Sequence, residues 1–371
     1  MSSTEKDLEL KLRTMRYLWR LGYFVRRNID LVEYGYEKSR VYTDIDVLGV
    51  KLDKNFNSHF IVCDCKSGIK VKTAERLFWL SGIKSYFNAE EGLFIRNQMM
   101  EAKYAELSKR LEIAPISSTQ LSDFEKTFVV PKRFYGPFCE EQGTINLIFS
   151  ELKDHDRFVH DYILKRYWKD KPQQQIVTLM TSCQRLTNIR KLENYKRTFI
   201  LSYILSSLSL SVLRLSNLIM AVPDDQKETL VKYELLGGEV GFSERRKLLE
   251  AFYEFMVKEI EERYKERYPL SKAEFLENLI PEYTKYLIDL IIRICGEPIS
   301  SVCIPHLMDL LTFEFALNNR KVVLSDAIPV GGNEISLKPL RDYLVFVERS
   351  NLGTNDFLQL SKEYLDSLEE N

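Results

Sequence analysis

The segment His59–Gly68, HFIVCDCKSG, begins as a buried strand and ends in charged residues. Side chains two positions apart share one face of a strand. Asp64 and Lys66 are therefore predicted to lie on one face, while Cys63 and Cys65 lie on the other. A carboxylate and an ammonium group thus leave the core together at the end of this strand.

The preceding strand pattern, VYTDIDVLGV at Val41–Val50, also carries acidic residues on one face, Asp44 and Asp46. The loop between the two strands has the Asp, Asn and Ser content of a hairpin. If the strands pair, one of these Asp residues meets Asp64 and Lys66 at one end of the sheet. Two neighbouring carboxylates repel each other, which raises their proton affinity unless a cation lies between them.

Magnesium is the cation that suits an oxygen-only site with retained waters, and Mn²⁺ is the alternative. Such a metal can activate a water and neutralise charge on a phosphodiester in the transition state. Lys66 would then orient the attacking water or contact the scissile phosphate. Asp44 remains a second candidate acid beside Asp46, or a polar strand start.

The order of patterns divides the chain into two predicted domains. Residues 1–130 read helix, three strands, helix, strand, helix, strand, which favours an α/β domain with a mixed sheet flanked by helices. A Pro- and Gly-containing linker is predicted at residues 131–143. Residues 144–371 form a larger all-α domain, with a short hairpin predicted around Val330–Glu334. Its predicted helices cover residues 145–169, 173–190, 193–221, 224–236, 242–267, 271–295, 300–318 and 354–369.

The amino-acid composition is that of a folded protein, and the net charge gives no excess of basic residues over the whole chain. The chain has 371 residues, 45% hydrophobic and 29% charged, with a net charge of −1. Six Cys and four His without a CxxC pair disfavour a zinc site. The apolar run Thr198–Val222 contains several Ser with Arg214 and Asn217, so we interpret it as a buried helix. We therefore predict a cytoplasmic protein without a membrane partner.

The strand pair resembles a known nuclease superfamily. TDIDVLGV (Thr43–Val50) followed by IVCDCKSG (Ile61–Gly68), after a helix and LGYFVRRN (Leu21–Asn28), resembles the PD-(D/E)xK superfamily. Its members include restriction endonucleases, Mrr-like enzymes and archaeal Holliday-junction resolvases. EIAPISSTQL (Glu112–Leu121) is similar to the closing strand of an Mrr-like domain. The resemblance covers about residues 3–128, and the proline of the family name is absent before Asp46.

The resemblance implies a restriction-endonuclease-like fold and a site. Asp46 and Asp64 would hold Mg²⁺, and Lys66 would be the catalytic lysine. The family often adds a Glu from the first helix, for which Glu9 is the candidate and Glu5 the alternative. The implied activity is metal-dependent hydrolysis of nucleic acid, with DNA favoured over RNA, in restriction or anti-phage defence.

Basic residues near these strands are candidate nucleic-acid contacts, namely Lys70, Lys72, Arg26 and Arg27. The helical domain would bind a protein partner, a second copy of the chain, or the nucleic-acid backbone. The alternative hypothesis is a catalytically silent nuclease fold that serves as a nucleic-acid-binding or assembly subunit.

Overall fold

The computed structural model of the chain describes residues 3–34, 39–68, 71–127, 136–265, 271–277, 281–320 and 336–369, together with residue 269. The predicted linker is described only from residue 136 onward. The hairpin predicted around Val330–Glu334 lies outside the described residues.

A mixed five-stranded sheet forms the centre of the N-terminal part, as predicted. The strands are β1 (Phe24–Tyr34), β2 (Ser39–Leu52), β3 (Ser58–Lys66), β4 (Glu91–Arg96) and β5 (Ile113–Ser117). Their spatial order follows the sequence. β2 pairs antiparallel with both β1 and β3, whereas β4 pairs parallel with both β3 and β5.

The middle strand, β3, owes its apolar run to its position. It pairs with β2 on one side and β4 on the other, and residues 61–65 are buried. A strand covered on both faces needs a continuous hydrophobic stretch rather than an alternating one. The hairpin loop before it is fixed by Asp53, whose Oδ1 accepts the backbone N–H groups of Asn55 and Asn57, each at 2.8 Å.

Helices flank this sheet. They are α1 (Ser3–Arg20), α2 (Thr73–Phe87), α3 (Ala105–Arg110) and α4 (Ser118–Thr127). Helix α1 packs against β1, β2 and β3, while α2 packs against β3 and β4. Asp46 in the middle of β2 and the charged end of β3 therefore lie where residues of both helices can reach them.

Two predicted elements in this part form over shorter segments than their patterns indicate. The pattern over residues 112–121 predicts a short strand with its tail. The strand forms, but β5 ends at Ser117 and α4 begins at once. Ser117 and Gln120 form a capping box: the Ser117 hydroxyl accepts the Gln120 N–H, and the Gln120 side chain accepts the Ser117 N–H. The pattern over residues 98–111 predicts a helix, which forms only from a 3₁₀ turn at Ala102–Tyr104 onward.

From Gln142 onward the described residues form helices and no strands, which confirms the predicted large helical part. They are α5 (Gln142–His155), α6 (Arg157–Asp161), α7 (Pro172–Thr187), α8 (Asn194–Met220), α9 (Asp224–Leu235), α10 (Gly238–Tyr264), α11 (Lys272–Glu277), α12 (Thr284–Gly296), α13 (Pro298–Ser301), α14 (Ile304–Leu310), α15 (Lys338–Arg349) and α16 (Asn355–Glu369). Short π-helical turns at Tyr162–Arg166 and Leu311–Ala316 extend α6 and α14.

Two long predicted helices are interrupted. The pattern over 145–169 breaks at Asp156, whose side chain accepts the Val159 N–H at 3.1 Å and caps α6. The pattern over 271–295 contains Pro281, which cannot donate a backbone hydrogen bond, and the structure has separate helices before and after it. Helix α15 was not predicted, although it has Pro in its first turn and buried apolar residues at helical spacing.

Helix α8 lies at the centre of the helical part. Several of its buried serines are satisfied by hydrogen bonds that their hydroxyls donate to the preceding turn. Ser202, for example, donates to the Thr198 carbonyl at 2.8 Å. Two helical segments found among the described residues, Asn194–Met220 and Pro298–Ala316, are long and apolar enough to cross a membrane. Within the fold, 94% and 72% of their most apolar windows are buried.

The sheet and the helical part share one hydrophobic core, and a buried ion pair joins them. Arg26 of β1 donates through both terminal nitrogens to Asp309 of α14, at 2.8 and 2.7 Å. The Ser206 hydroxyl of α8 also donates to Asp309, at 2.6 Å. Burial would lower the pKa of Arg26, but the Asp309 carboxylate outweighs it and raises that pKa.

We expect Asp309→Ala to lower the free energy of unfolding by about 3–5 kcal/mol, because it leaves the Arg26 charge buried without a partner. Replacing both residues, as in R26M with D309L, should recover more than half of that loss. Urea unfolding of each purified variant measures both effects.

The matched control is Asp289→Ala, which removes an exposed carboxylate paired with Arg293. An exposed pair contributes about 0–1 kcal/mol. A loss below about 1 kcal/mol for Asp309→Ala, equal to that of the control, would show that the pair does not hold the two parts together.

Candidate active site

The antiparallel pairing of β2 with β3 places two carboxylates side by side. Val47 pairs with Cys63 in the ladder, so the preceding Asp46 and the following Asp64 are neighbours on the same face. Both side chains are buried. Burial of two adjacent carboxylates is unfavourable unless cations and hydrogen bonds compensate them.

Lys66 joins the two acids. Its Nζ lies 2.8 Å from Oδ2 of Asp46 and 3.1 Å from Oδ1 of Asp64. It occupies the same face of β3 as Asp64, two positions further on, as the strand alternation predicted. Asp46, Asp64 and Lys66 therefore form one cluster in the structure.

A second lysine and a backbone amide complete the surroundings of Asp46. Lys11 of α1 lies 2.6 Å from Oδ1 of Asp46, and the Cys65 N–H donates to Oδ2 at 2.8 Å. The same Lys11 ammonium donates to the Asn28 side chain at 2.8 Å. Asp46 is thus held directly by α1 and β3, while Asn28 of β1 holds the Lys11 side chain.

Arg76 of α2 clamps Asp64. Its Nε donates to Oδ2 of Asp64 at 2.8 Å, and its Nη2 bonds Oδ1. The guanidinium also lies over the Trp79 ring, with its central carbon 4.1 Å from the ring centroid. The two acids are therefore surrounded by Lys11, Lys66 and Arg76.

These contacts shift the two carboxyl groups in opposite directions. Burial raises the pKa of Asp46, but Lys11 and Lys66 outweigh it, so this pKa lies below its ordinary value. Burial dominates at Asp64 and raises its pKa, despite Arg76 and Lys66. For Lys66, the two acids outweigh burial and raise the pKa, so the ammonium stays charged. Paired carboxyls with separated pKa values are typical of sites that handle protons.

The acid that α1 brings beside this cluster is Asp7, not the predicted Glu9 or Glu5. Oδ1 of Asp7 accepts the Ser67 N–H at 3.0 Å, just after Lys66. Asp7 and Lys11 are four residues apart and share one helix face. Glu9 and Glu5 are exposed and lie two positions away from Asp7, on the far side of the helix.

Asp44 lies at the edge of the cluster. It is exposed, shares a face of β2 with Asp46, and pairs with Asp30 across the ladder. Its charge contributes to the raised pKa of Arg76, after the larger effects of burial, which lowers that pKa, and of Asp64 and Asp46. The structure thus places Asp44 near the site without a hydrogen bond to its members among the contacts described.

The predicted nucleic-acid contacts lie in different environments. Lys72 is exposed and pairs with Glu75 at 2.9 Å, and Lys70 lies outside the described residues. Arg27 is half-buried and lines a cavity. The prediction for Arg26 does not fit its position, because the Asp309 pair buries its guanidinium away from any phosphate backbone.

Sequence reasoning missed Lys11, Arg76 and Asp7. Each lies on a helix, and its contact with the strand residues depends on how the helix docks. Within the described residues there is no group of three or more His, Cys, Asp or Glu side chains arranged to hold a metal ion. Asp46 and Asp64 are the two carboxylates that the described contacts bring together through Lys66.

Comparisons with protein-family models, curated proteins and solved structures gave no match to this chain.

Proposed function

We propose that the chain is a metal-dependent nuclease that hydrolyses phosphodiester bonds, with DNA favoured over RNA. The observation that carries this proposal is Lys66, whose Nζ lies 2.8 Å from Asp46 and 3.1 Å from Asp64. Two carboxylates and a lysine on adjacent strands are the groups that metal-assisted phosphodiester hydrolysis needs. The restriction-endonuclease-like fold of residues 1–130 is part of this proposal.

Asp46 and Asp64 are the residues that would hold Mg²⁺ or Mn²⁺. Their oxygens already attract cations, and one or two carboxylates with retained waters suit Mg²⁺. When bound, the metal would supply an acidified water and neutralise phosphate charge. The Cys65 N–H fixes the orientation of Asp46 from the backbone. Lys66, kept charged by the two acids, would orient the attacking water or contact the scissile phosphate.

The remaining assignments follow from the same proposal. The chain would act in restriction or anti-phage defence in the cytoplasm, without a membrane partner. The helical part would recruit a protein partner or a second copy of the chain. Lys72 and Arg27 remain candidate contacts to the nucleic acid, and Asp7 replaces Glu9 and Glu5 as the helix acid beside the site.

One observation favours the alternative, a catalytically silent nuclease fold. All four carboxylate oxygens of Asp46 and Asp64 already bond cationic side chains, namely Lys11, Lys66 and Arg76. Three cations for two acids can maintain the site as a structural ion cluster. Under this alternative the chain binds nucleic acid but neither takes up the metal nor cleaves.

We expect the purified protein to cleave plasmid or single-stranded DNA with Mg²⁺ or Mn²⁺. Lys66→Met and Asp46→Asn should each slow cleavage at least about a hundredfold, since each removes a group from the reacting centre. Gel assays of the first-order rate measure this effect. Calorimetric titration with Mn²⁺ should show binding that Asp46→Asn abolishes.

Lys103→Met is the matched control, because Lys103 is an exposed lysine of the same domain paired with Glu101. It should cleave as the parent does, and circular dichroism should show that all variants fold. Nucleic-acid binding with neither cleavage nor Mn²⁺ uptake by the parent would support the silent alternative. Equal cleavage by Lys66→Met and the parent would refute the assigned site.

A further inference from the structure

A cavity of about 440 Å³ lies between β1 and the helical part. Its volume falls within the range of small-molecule sites, and such sites often occur between domains. The walls come from β1, α5, the segment around α6, and the central helices. The polar lining includes Arg27, Asn28, Gln142, Lys153 and Lys165.

Positive charge dominates the described lining of this cavity. Arg27 and Lys153 contribute cations without a carboxylate partner among the described contacts, whereas Arg26 is paired with Asp309, and Lys165 with Asp161 at 3.3 Å. Asp30 is the sole carboxylate among the described lining residues, and it lies 3.8 Å from the Lys165 ammonium. The cavity therefore attracts an anion.

Arg27 is a half-buried charge of this cavity without a carboxylate partner among the described residues. Its Nε and Nη2 both donate to Oε1 of Gln142, at 3.0 and 2.6 Å, and Gln142 is neutral. Burial lowers the pKa of Arg27. A partly desolvated cation without a counter-charge is unfavourable, and a bound anion would offset that cost.

Aromatic rings form another wall of the same cavity. Phe149 and Phe313 each make an edge contact with Tyr203, at centroid distances of 5.2 and 6.3 Å. All three line the cavity. Aromatic surfaces favour stacking and edge contacts with a flat ring. The cavity thus combines an anion-binding end with a wall for a planar group.

We propose that this cavity binds a small phosphate-bearing molecule with a planar ring, of the nucleoside monophosphate class. Arg27 binds the phosphate, with Lys153 and Lys165 at the rim. The ring packs against Phe149 and Tyr203.

The test is calorimetric titration of the full chain with inorganic phosphate, adenosine and the four ribonucleoside 5′-monophosphates. No divalent metal or nucleic acid is present, so the result does not depend on nuclease activity. At least one monophosphate should bind more tightly than phosphate or adenosine. Arg27→Gln should weaken its binding about tenfold or more, because a charge-assisted pair is lost.

Arg110→Gln, which removes an exposed arginine paired with Glu106, should bind as the parent does. Lys153→Gln should also weaken binding. Because Lys153 is exposed, this variant should fold even if Arg27→Gln does not, so it tests the site independently. The proposal is overturned if no monophosphate binds at millimolar concentration, if Arg27→Gln and Lys153→Gln bind equally to the parent, or if only a single-stranded oligonucleotide binds.

Discussion

Two buried carboxylates on adjacent strands impose the constraint on which this structure depends. The register of β2 and β3 places Asp46 beside Asp64, and neither acid is accessible enough to be solvated by bulk water. Each therefore needs a positive partner. Lys66 from the same strand, Lys11 from α1 and Arg76 from α2 meet that need, so the cluster also fixes how both helices dock on the sheet.

A second buried ion pair, on β1, attaches the helical part to the sheet. Arg26 of β1 reaches Asp309 between α8 and α14, and the core is continuous across this contact. Arg27, the next residue, also lines the cavity between the two parts. The two neighbouring arginines differ in their partners, because Arg26 is paired with a carboxylate whereas Arg27 bonds the neutral Gln142 side chain.

The sequence predicted most of the sheet because β2 and β3 carry unambiguous strand patterns, and alternation placed Asp64 and Lys66 on one face. It also pointed to Asp46, which needs only a hairpin to reach them. Alternation could not reveal Lys11 or Arg76, because their contacts depend on helix docking. Glu9 was chosen by resemblance rather than by helical spacing, and Asp7 lies on the face that meets β3. The spacing of Ser117 and Gln120 in the sequence is that of a capping box, which predicts the start of α4.

The proposed nuclease activity requires a divalent metal between Asp46 and Asp64. The direct measurement is an anomalous difference map from crystals of the parent protein grown with Mn²⁺. We predict a peak about 2.0–2.3 Å from an oxygen of Asp46 and an oxygen of Asp64, with Lys66 displaced from one of them. A map without this peak, with Lys66 still bridging the two carboxylates, would contradict the account.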